Sequence, residues 1–319
     1  MAVIRQTSAS VGLSTGSGLD EIFDSAYEEK KQPGHVDATN ELFFRQDSTE
    51  FLAVQYAESM GPNLFRSHAE DEEVDDKTVR VANRTVAEVF EFDADIGIAQ
   101  RYQESSASYG TVAKWVEDLG RVAGQSRDYE AFRRSYSDAF SGVDTPDGVD
   151  LVSNSHVALS GDTVDNLETG ALTSNNLETV VRSLRLQRAQ NGTLGSCHAD
   201  GLLVPTILHP AATRITESEL RTATTDNDLN YWSKVYPGLV VGASEWLDST
   251  YNTFNSNANT SYFVVSRNHS ITRAVRVPIQ REYVEPKYDR KRRAFYRARF
   301  SERVYAGTWV GIVGSNGTA

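Results

Sequence analysis

Between residues 111 and 141, apolar side chains recur at steps of three and four: Val112, Trp115, Leu119, Val122, Tyr129, Phe132, Tyr136 and Phe140, with a gap at Gln125 and Ser126. Lys114, Glu117, Asp118, Arg121, Arg127, Asp128, Arg133 and Arg134 take most of the other side. The spacing predicts an amphipathic helix of roughly 45 Å, at about 1.5 Å of rise per residue. That is long for a globular domain and has the character of a spine. Gly142 and Pro146 end it. A second helix is predicted from Asn175, an N-cap with Glu178 three residues on. Its apolar stripe is Leu177, Val180, Val181 and Leu184, and Gly192 stops it.

Elsewhere the period is two. Leu52, Val54 and Tyr56 alternate with Ala53 and Gln55. Further on, Val86, Phe90, Phe92, Ala94, Ile96 and Ile98 fall on one face, and Ala87, Val89, Glu91, Asp93, Asp95 and Gly97 on the other. Alternation of this kind marks strands. Gly61-Pro62-Asn63 is a turn signal between the two stretches. The acidic run from Glu70 to Asp76 cannot sit in a core. The expected object is a long hairpin over 51–98 with a wet, acidic distal part. Residues 145–175 read as loop. A short strand is expected at 202–205, a helix near 211–215, and strands at 238–241, 262–265, 273–278, 294–305 and 309–313. Residues 1–50 carry little periodicity. They read as a disordered tail or as an arm that orders on a neighbour.

Charge sharpens this picture. The net charge is −12, but residues 1–100 carry 8 basic and 20 acidic groups, whereas residues 287–319 carry 8 basic and 2 acidic. An acidic front and a basic tail attract each other within or between subunits. The acidic total argues against high-affinity nucleic-acid binding. The length of 319 residues exceeds what one core usually holds. A hydrophobic share of 39% is low for a compact enzyme of this size and fits extended, partner-facing parts. A single cysteine, Cys197, excludes an intrachain disulfide and fits a reducing compartment. No apolar run approaches the length of a membrane span, and the first residues lack the apolar stretch of a signal peptide.

Candidate chemistry is sparse. None of the six histidines pairs at metal spacing. Cys197 and His198 are adjacent, a poor placement for a thiolate–imidazole pair. Asn154-Ser155-His156 is a possible hydrolase fragment without a nucleophile elbow, and reads more simply as a loop. The 70–76 run lacks the alternation and central glycine of a calcium loop, and Gly192-Thr193-Leu194-Gly195 does not lead into a phosphate-binding lysine. The expectation is no catalytic residue, no metal and no cofactor. The one cluster that stands out is basic: Lys287, Arg290, Lys291, Arg292, Arg293, Arg297, Arg299 and Arg303. Arg297, Arg299 and Arg303 alternate with Ala298, Phe300 and Val304, which puts charge on one strand face. That face is expected to meet DNA or an acidic segment, or else to be an ordinary solvated surface.

The order of elements resembles the Hong-Kong-97-type fold of tailed-bacteriophage major capsid proteins, in particular the Mu-like head subunits. The phrases that carry the resemblance are Gly120-Arg121-Val122-Ala123 through Ser126-Arg127-Asp128-Tyr129, Thr145-Pro146-Asp147-Gly148 through Leu151-Val152-Ser153-Asn154-Ser155-His156, Gly201-Leu202-Leu203-Val204-Pro205, Asn230-Tyr231-Trp232 followed by Val240-Val241, and Phe295 through Trp309-Val310-Gly311. The resemblance spans about residues 40 to 314. It implies an α+β fold with an N-terminal arm (1–50), an extended β-hairpin loop (51–98), a peripheral domain (99–173) holding the spine helix at about 111–141, an axial domain (174–280) and return strands of the peripheral domain (281–319). It also implies a structural protein, not an enzyme, that self-assembles as pentamers and hexamers into an icosahedral shell around double-stranded DNA. Assembly is expected in the host cytoplasm, with the virion as final location.

The implied partners are further copies of the chain, a portal protein, a decoration or cement protein, and packaged DNA held non-specifically, with no membrane. Only about forty residues precede the extended loop, which implies a separate scaffolding protein. Lys77 is the only lysine between 51 and 98, and its surroundings do not match the lysine–asparagine cross-link of some relatives. Two rivals stand beside this reading: a cellular nanocompartment shell of the same fold that encloses a protein cargo, and a soluble hydrolase, for which no nucleophile, base and orienter can be assembled.

Overall fold

The computed structural model describes residues 16–28, 34–60, 80–99, 109–219, 230–253, 255–284 and 293–317. The acidic run at 70–76, Lys77 and the turn at 61–63 lie outside the described residues. In chain order the elements are α1 (Gly16–Tyr27), β1 (Arg45–Ser48), β2 (Ala53–Met60), β3 (Arg80–Glu88), β4 (Phe90–Ala99), α2 (Tyr109–Arg133), β5 (His156–Val157), β6 (Thr163–Val164), β7 (Leu167–Glu168), α3 (Ser174–Leu186), β8 (Gly201–Pro205), α4 (His209–Glu217), α5 (Tyr231–Val235), β9 (Val240–Ser244), β10 (Tyr262–Val265), β11 (Ile271–Val284), β12 (Arg293–Ala306) and β13 (Ile312–Ser315).

The α-helical part of the spine, α2, is shorter than its pattern. It spans 25 residues, about 37 Å, where the sequence predicts 111–141. Beyond Arg133 the apolar steps continue through Tyr136 and Phe140, but the backbone tightens into turns. The amides of Ser135 and Ser137 both bond the Phe132 carbonyl, and the Ser135 hydroxyl donates to Ala131 O at 2.7 Å. Such local side-chain bonds compete with the helical ladder. Val112, Leu119 and Phe132 are buried as expected, but Val122 is 52% exposed while Val116 and Ala123 are buried. The gap at Gln125 and Ser126 has a cause. Arg127 and Asp128, expected on the wet side, are buried instead. Asp128 Oδ1 accepts from the Ala38 amide at 3.1 Å and from Arg127 Nε at 3.0 Å.

The described parts of the first fifty residues, 16–28 and 34–50, differ from the expected arm. In α1, Leu19, Phe23 and Ala26 share one face and are buried against Val112, Val116, Leu119 and Ala123 of α2. Glycine makes that approach possible: a Cβ on Gly120 would stand 2.5 Å from the Phe23 carbonyl oxygen. Tyr296 donates to Asp20 at 2.7 Å and Arg281 pairs with Asp24 at 2.6 Å, which ties α1 to the sheet as well. Residues 34–48 go deeper. Val36, Ala38, Phe43 and Phe44 belong to the largest core cluster, and Tyr136 donates to Phe43 O at 2.8 Å. A Cβ on Gly242 would lie 2.3 Å from Val36 Cγ2. These apolar residues are too irregularly spaced to register as a helix or strand, so the pattern alone reads as a tail. Packing makes the segment part of the subunit's own core.

Two sheets organise the rest. The long sheet has the order β1-β11-β12-β4. β11 and β12 are antiparallel, with register shifts between Val275 and Val277 and between Val277 and Gln280; β1 runs parallel to β11. β4 pairs antiparallel with β12 from Phe90↔Glu302 to Ala99↔Arg293. The hairpin expected over 51–98 is therefore shorter. Only β2 and β3 form the two-stranded ribbon, and 90–99 belongs to the long sheet. The switch falls at Val89, which no strand includes. Alternation is the same in a ribbon and in a sheet, so the sequence carried no mark of the change.

The second sheet has the order β7-β13-β10-β8-β9. β8, β10 and β13 are buried at every residue. One face, with Leu203, Phe263, Val265 and Ile312, meets the core built by 36–44 and α2. The other, with Leu202, Val204, Tyr262, Val264 and Val313, meets α3, α4 and Trp232 of α5. Burial on both faces explains why these strands read as short continuous apolar runs. The boundary expected at 281 also shifts: β11 joins the long sheet from Ile271, and β13 sits in the second sheet. The N-cap of α3 is Thr173, whose hydroxyl accepts from the Asn176 amide, rather than Asn175. The helix stops at Gln187, well before Gly192, because the Gln187 side chain is buried and bonds the carbonyls of Trp309 and Ile312 and the Gly311 amide.

Candidate functional site

The basic strand is β12, and the structure divides its cations. Lys287, Arg290, Lys291 and Arg292 lie outside the described residues. Arg293 opens the strand opposite Ala99, with only its backbone described. Arg297 and Arg299 point to the open face, and Tyr296, Ala298 and Phe300 to the buried one, as alternation predicts. Their counter-charges come from the neighbouring strand of the same chain. Arg297 Nη2 lies 2.6 Å from Asp93 Oδ2. Arg299 Nη1 lies 3.8 Å from Glu91, and its Nε and Nη2 donate to Gln280 Oε1 at 3.1 and 3.0 Å. The hydrogen bond that Arg297 donates to Asp93, together with the Asp93 charge, raises the Arg297 pKa. Asp93 and Glu91 belong to β4, which the sheet register brings beside β12.

Arg303 departs from the expected face. It has the same parity as Arg297 and Arg299, yet the β2–β3 ribbon closes over this end of the strand: Tyr56 stacks on Tyr305 at 4.4 Å. The Arg303 guanidinium lies 5.0 Å above the Phe90 ring, and its Nε and Nη1 are buried without a hydrogen-bond partner among the described residues. Burial, with Arg134 nearby, lowers its pKa.

The weaker chemical signals resolve into structure. Ser155 Oγ lies 3.0 Å from Ser153 Oγ, and His156 turns away to Asp147, with Nδ1 to Oδ2 at 2.8 Å. The His156 ring is fully buried and stacks on Trp309 at 5.4 Å. Burial opposes charge on Asp147, but hydrogen bonds from His156, Thr145 and Val149 outweigh it and hold the carboxyl below its ordinary value. Cys197 is buried, donates to Gly195 O at 3.4 Å, and burial pushes its thiol up to about 11. Among the described residues no group of three or more His, Cys, Asp or Glu side chains is placed to hold a metal ion. No described helix is long and apolar enough to cross a membrane. The open clefts follow the spine. One of about 450 Å³ is lined by Ile96, Trp115, Leu119 and Val122, and one of about 290 Å³ by Phe92, Leu119, Ile279 and Phe300. Phe51 and Leu52, 73% and 69% exposed, form an apolar pair at the foot of the ribbon. Such surfaces suit protein contact better than small-molecule chemistry.

No protein-family model matches the chain, and no curated protein matches it. Solved structures do. The capsid of Ralstonia phage GP4 aligns over 90% of this chain and 94% of its own, with a TM-score of 0.56 and 9% identity. The capsid of a native GTA particle aligns over 92% and 94%, with a TM-score of 0.53 and 12% identity. The virus-like particle from Pyrococcus furiosus aligns over 93% and 97%, with a TM-score of 0.52 and 9% identity. The chain thus has the fold from which capsids and virus-like particles are built. It is the Hong-Kong-97-type fold, α+β with two sheets and a long helix, to which the sequence phrases pointed.

Proposed function

We propose that this chain is the major capsid protein of a tailed bacteriophage, a structural subunit that is not an enzyme and that forms pentamers and hexamers of an icosahedral shell around double-stranded DNA. The observation that carries the proposal is the end-to-end match to shell subunits, over nine-tenths or more of both chains. The exposed apolar pair at Phe51 and Leu52 and the clefts along α2 support it, because a shell subunit must bury about 2,000 Å² or more on its neighbours. In this reading the long sheet with α1 and α2 is the peripheral domain, and the second sheet with α3, α4 and α5 is the axial domain. A separate scaffolding protein, a portal and a decoration protein complete the assembly, which takes place in the host cytoplasm before the virion is released.

The match to the Pyrococcus furiosus particle favours a second reading, a nanocompartment shell with a protein cargo. Electron microscopy of the chain expressed with its scaffold tests both. Closed icosahedral particles are expected, and uniformly monomeric protein would refute the shell reading. Particles recovered from the native source with DNA inside support the phage reading, and particles with an enzyme inside support the second. Because Arg297 and Arg299 already face Asp93 and Glu91, Arg297→Glu with Arg299→Glu is expected to impair shell formation even without DNA. Normal empty shells with defective packaging would instead assign the face to DNA.

A further inference from the structure

Arg303 differs from the other cations of β12 in having no counter-charge. Arg297 and Arg299 meet Asp93 and Glu91 in their own chain. Among the described residues no carboxylate pairs with Arg303, and its buried Nε and Nη1 have no acceptor. Packing holds the group instead. Its guanidinium carbon lies 5.0 Å from the centroid of the Phe90 ring, and that of Arg134 lies 5.7 Å from the same ring. Arg134 is neutralised locally, with Nε 2.9 Å from Glu130 Oε1. The Val89 amide donates to the Leu52 carbonyl at 2.8 Å, which sets Phe90 beside Leu52 and Phe51. All three of these apolar side chains are exposed. One patch at the foot of the ribbon therefore combines apolar surface with a guanidinium that lacks a counter-charge.

Arg303 is a burden to the isolated subunit. Buried donors without acceptors oppose folding, and burial together with the nearby Arg134 opposes the charge itself. An apolar side chain of the same length would serve the subunit better. The group gains from an acceptor that comes from outside the chain, and that acceptor is a carboxylate or a phosphate. The surroundings favour the carboxylate. A phosphodiester strand has no apolar face to lay on Phe51, Leu52 and Phe90, whereas a protein segment covers apolar and charged groups together. The net charge of −12 makes copies of the chain repel one another at long range, so a contact between copies depends on setting a cation of one against a carboxylate of the other.

We propose that Arg303 receives a carboxylate from a second copy of the chain, and that the segment carrying this carboxylate also covers Phe51, Leu52 and Phe90. The proposal rests on the shell reading, which sets copies side by side. Arg303 then contributes nothing favourable to the free subunit and a charge-assisted hydrogen bond to the assembled one. Arg297 and Arg299 cannot take this part, because their charges are already met within the sheet.

The test is to express the full-length chain with its scaffold and to quantify free and assembled subunits by sedimentation and electron microscopy. Arg303→Met keeps an unbranched side chain against Phe90 and removes the charge and its unpaired donors. It is expected to raise the ratio of free to assembled subunits by about tenfold or more, the effect of losing one hydrogen bond to a charged group. The urea midpoint of its unassembled subunits is expected at or above that of the wild type. Arg303→Lys, which keeps the charge, should recover part of the assembly. An Arg303→Met chain that assembles as the wild type does overturns the contact and leaves the shell reading standing. A wild-type chain that forms no particles removes the shell reading and the contact with it. A urea midpoint lowered enough to account for lost assembly makes Arg303 a packing residue and overturns the proposal. Normal empty shells that fail to fill with DNA assign the group to phosphate and overturn it as well.

Discussion

Phe43 decides whether residues 34–48 are core or arm. Its side chain is fully buried and packs against Gly201 and Gly242, where added Cβ atoms would stand 2.9 and 3.0 Å from the ring. Truncating a phenylalanine so enclosed costs about 3–5 kcal/mol, which in a chain of this size lowers Tm by roughly 5–10 °C. Phe43→Ala is therefore expected to destabilise isolated subunits by that amount in urea titration. Phe51→Ala, at a 73% exposed position a few residues on, should change stability by less than about 0.5 kcal/mol. A cycle at the adjoining contact sharpens the test. Gly242→Ala drives a methyl group to 2.3 Å from Val36 Cγ2, an overpacking of about 1–3 kcal/mol. Val36→Ala removes that obstacle and by itself costs about 2 kcal/mol. The double variant should be less destabilised than the sum by about 1 kcal/mol or more. If Phe43→Ala leaves unassembled subunits as stable as wild type and impairs only assembly, the segment is an arm that orders on neighbours, and the packing argument fails.

Gly120→Ala gives opposite signs for the two states of α1. With α1 docked, the Cβ meets Phe23 O at 2.5 Å and the change should cost about 1–3 kcal/mol, with faster proteolysis within 16–28; with α1 free, helix propensity should instead stabilise by about 1 kcal/mol. His269 donates from Nε2 to Leu42 O at 3.0 Å and accepts at Nδ1 from Ile271 N at 3.1 Å, and burial lowers its pKa from 6.5 to about 4. The unfolded chain therefore binds the extra proton first, so stability present at pH 7 should fall as pH drops from 6.5 toward 4, by up to about 3 kcal/mol from this residue; denaturant midpoints of the wild type and His269→Asn should converge over that interval, and parallel curves would refute the assignment.

Local pattern determined a good deal about this chain by itself. The bounds expected for β10, 262–265, are those observed. The split of β12 into a charged face with Arg297 and Arg299 and a buried face with Ala298 and Phe300 followed from alternation, as the apolar stripe of α3 followed from its steps of three and four. The order of elements pointed to the capsid fold. Each of these depends on the environment of a short stretch, and periodicity reports environment. The partner of a stretch is another matter. Alternation over 90–98 is equally compatible with a ribbon and with the long sheet, and only the tertiary fold sets Asp93 beside Arg297, 204 residues away. Phe43 and Phe44 read as stray apolar residues until Gly201, Gly242 and Tyr136 close around them. The contact of Asp128 with the Ala38 amide joins two segments 90 residues apart, each of which alone looks like an ordinary surface position. No one-dimensional pattern records it, because burial of a carboxylate at that depth exists only once residues 36–44 have packed against the spine.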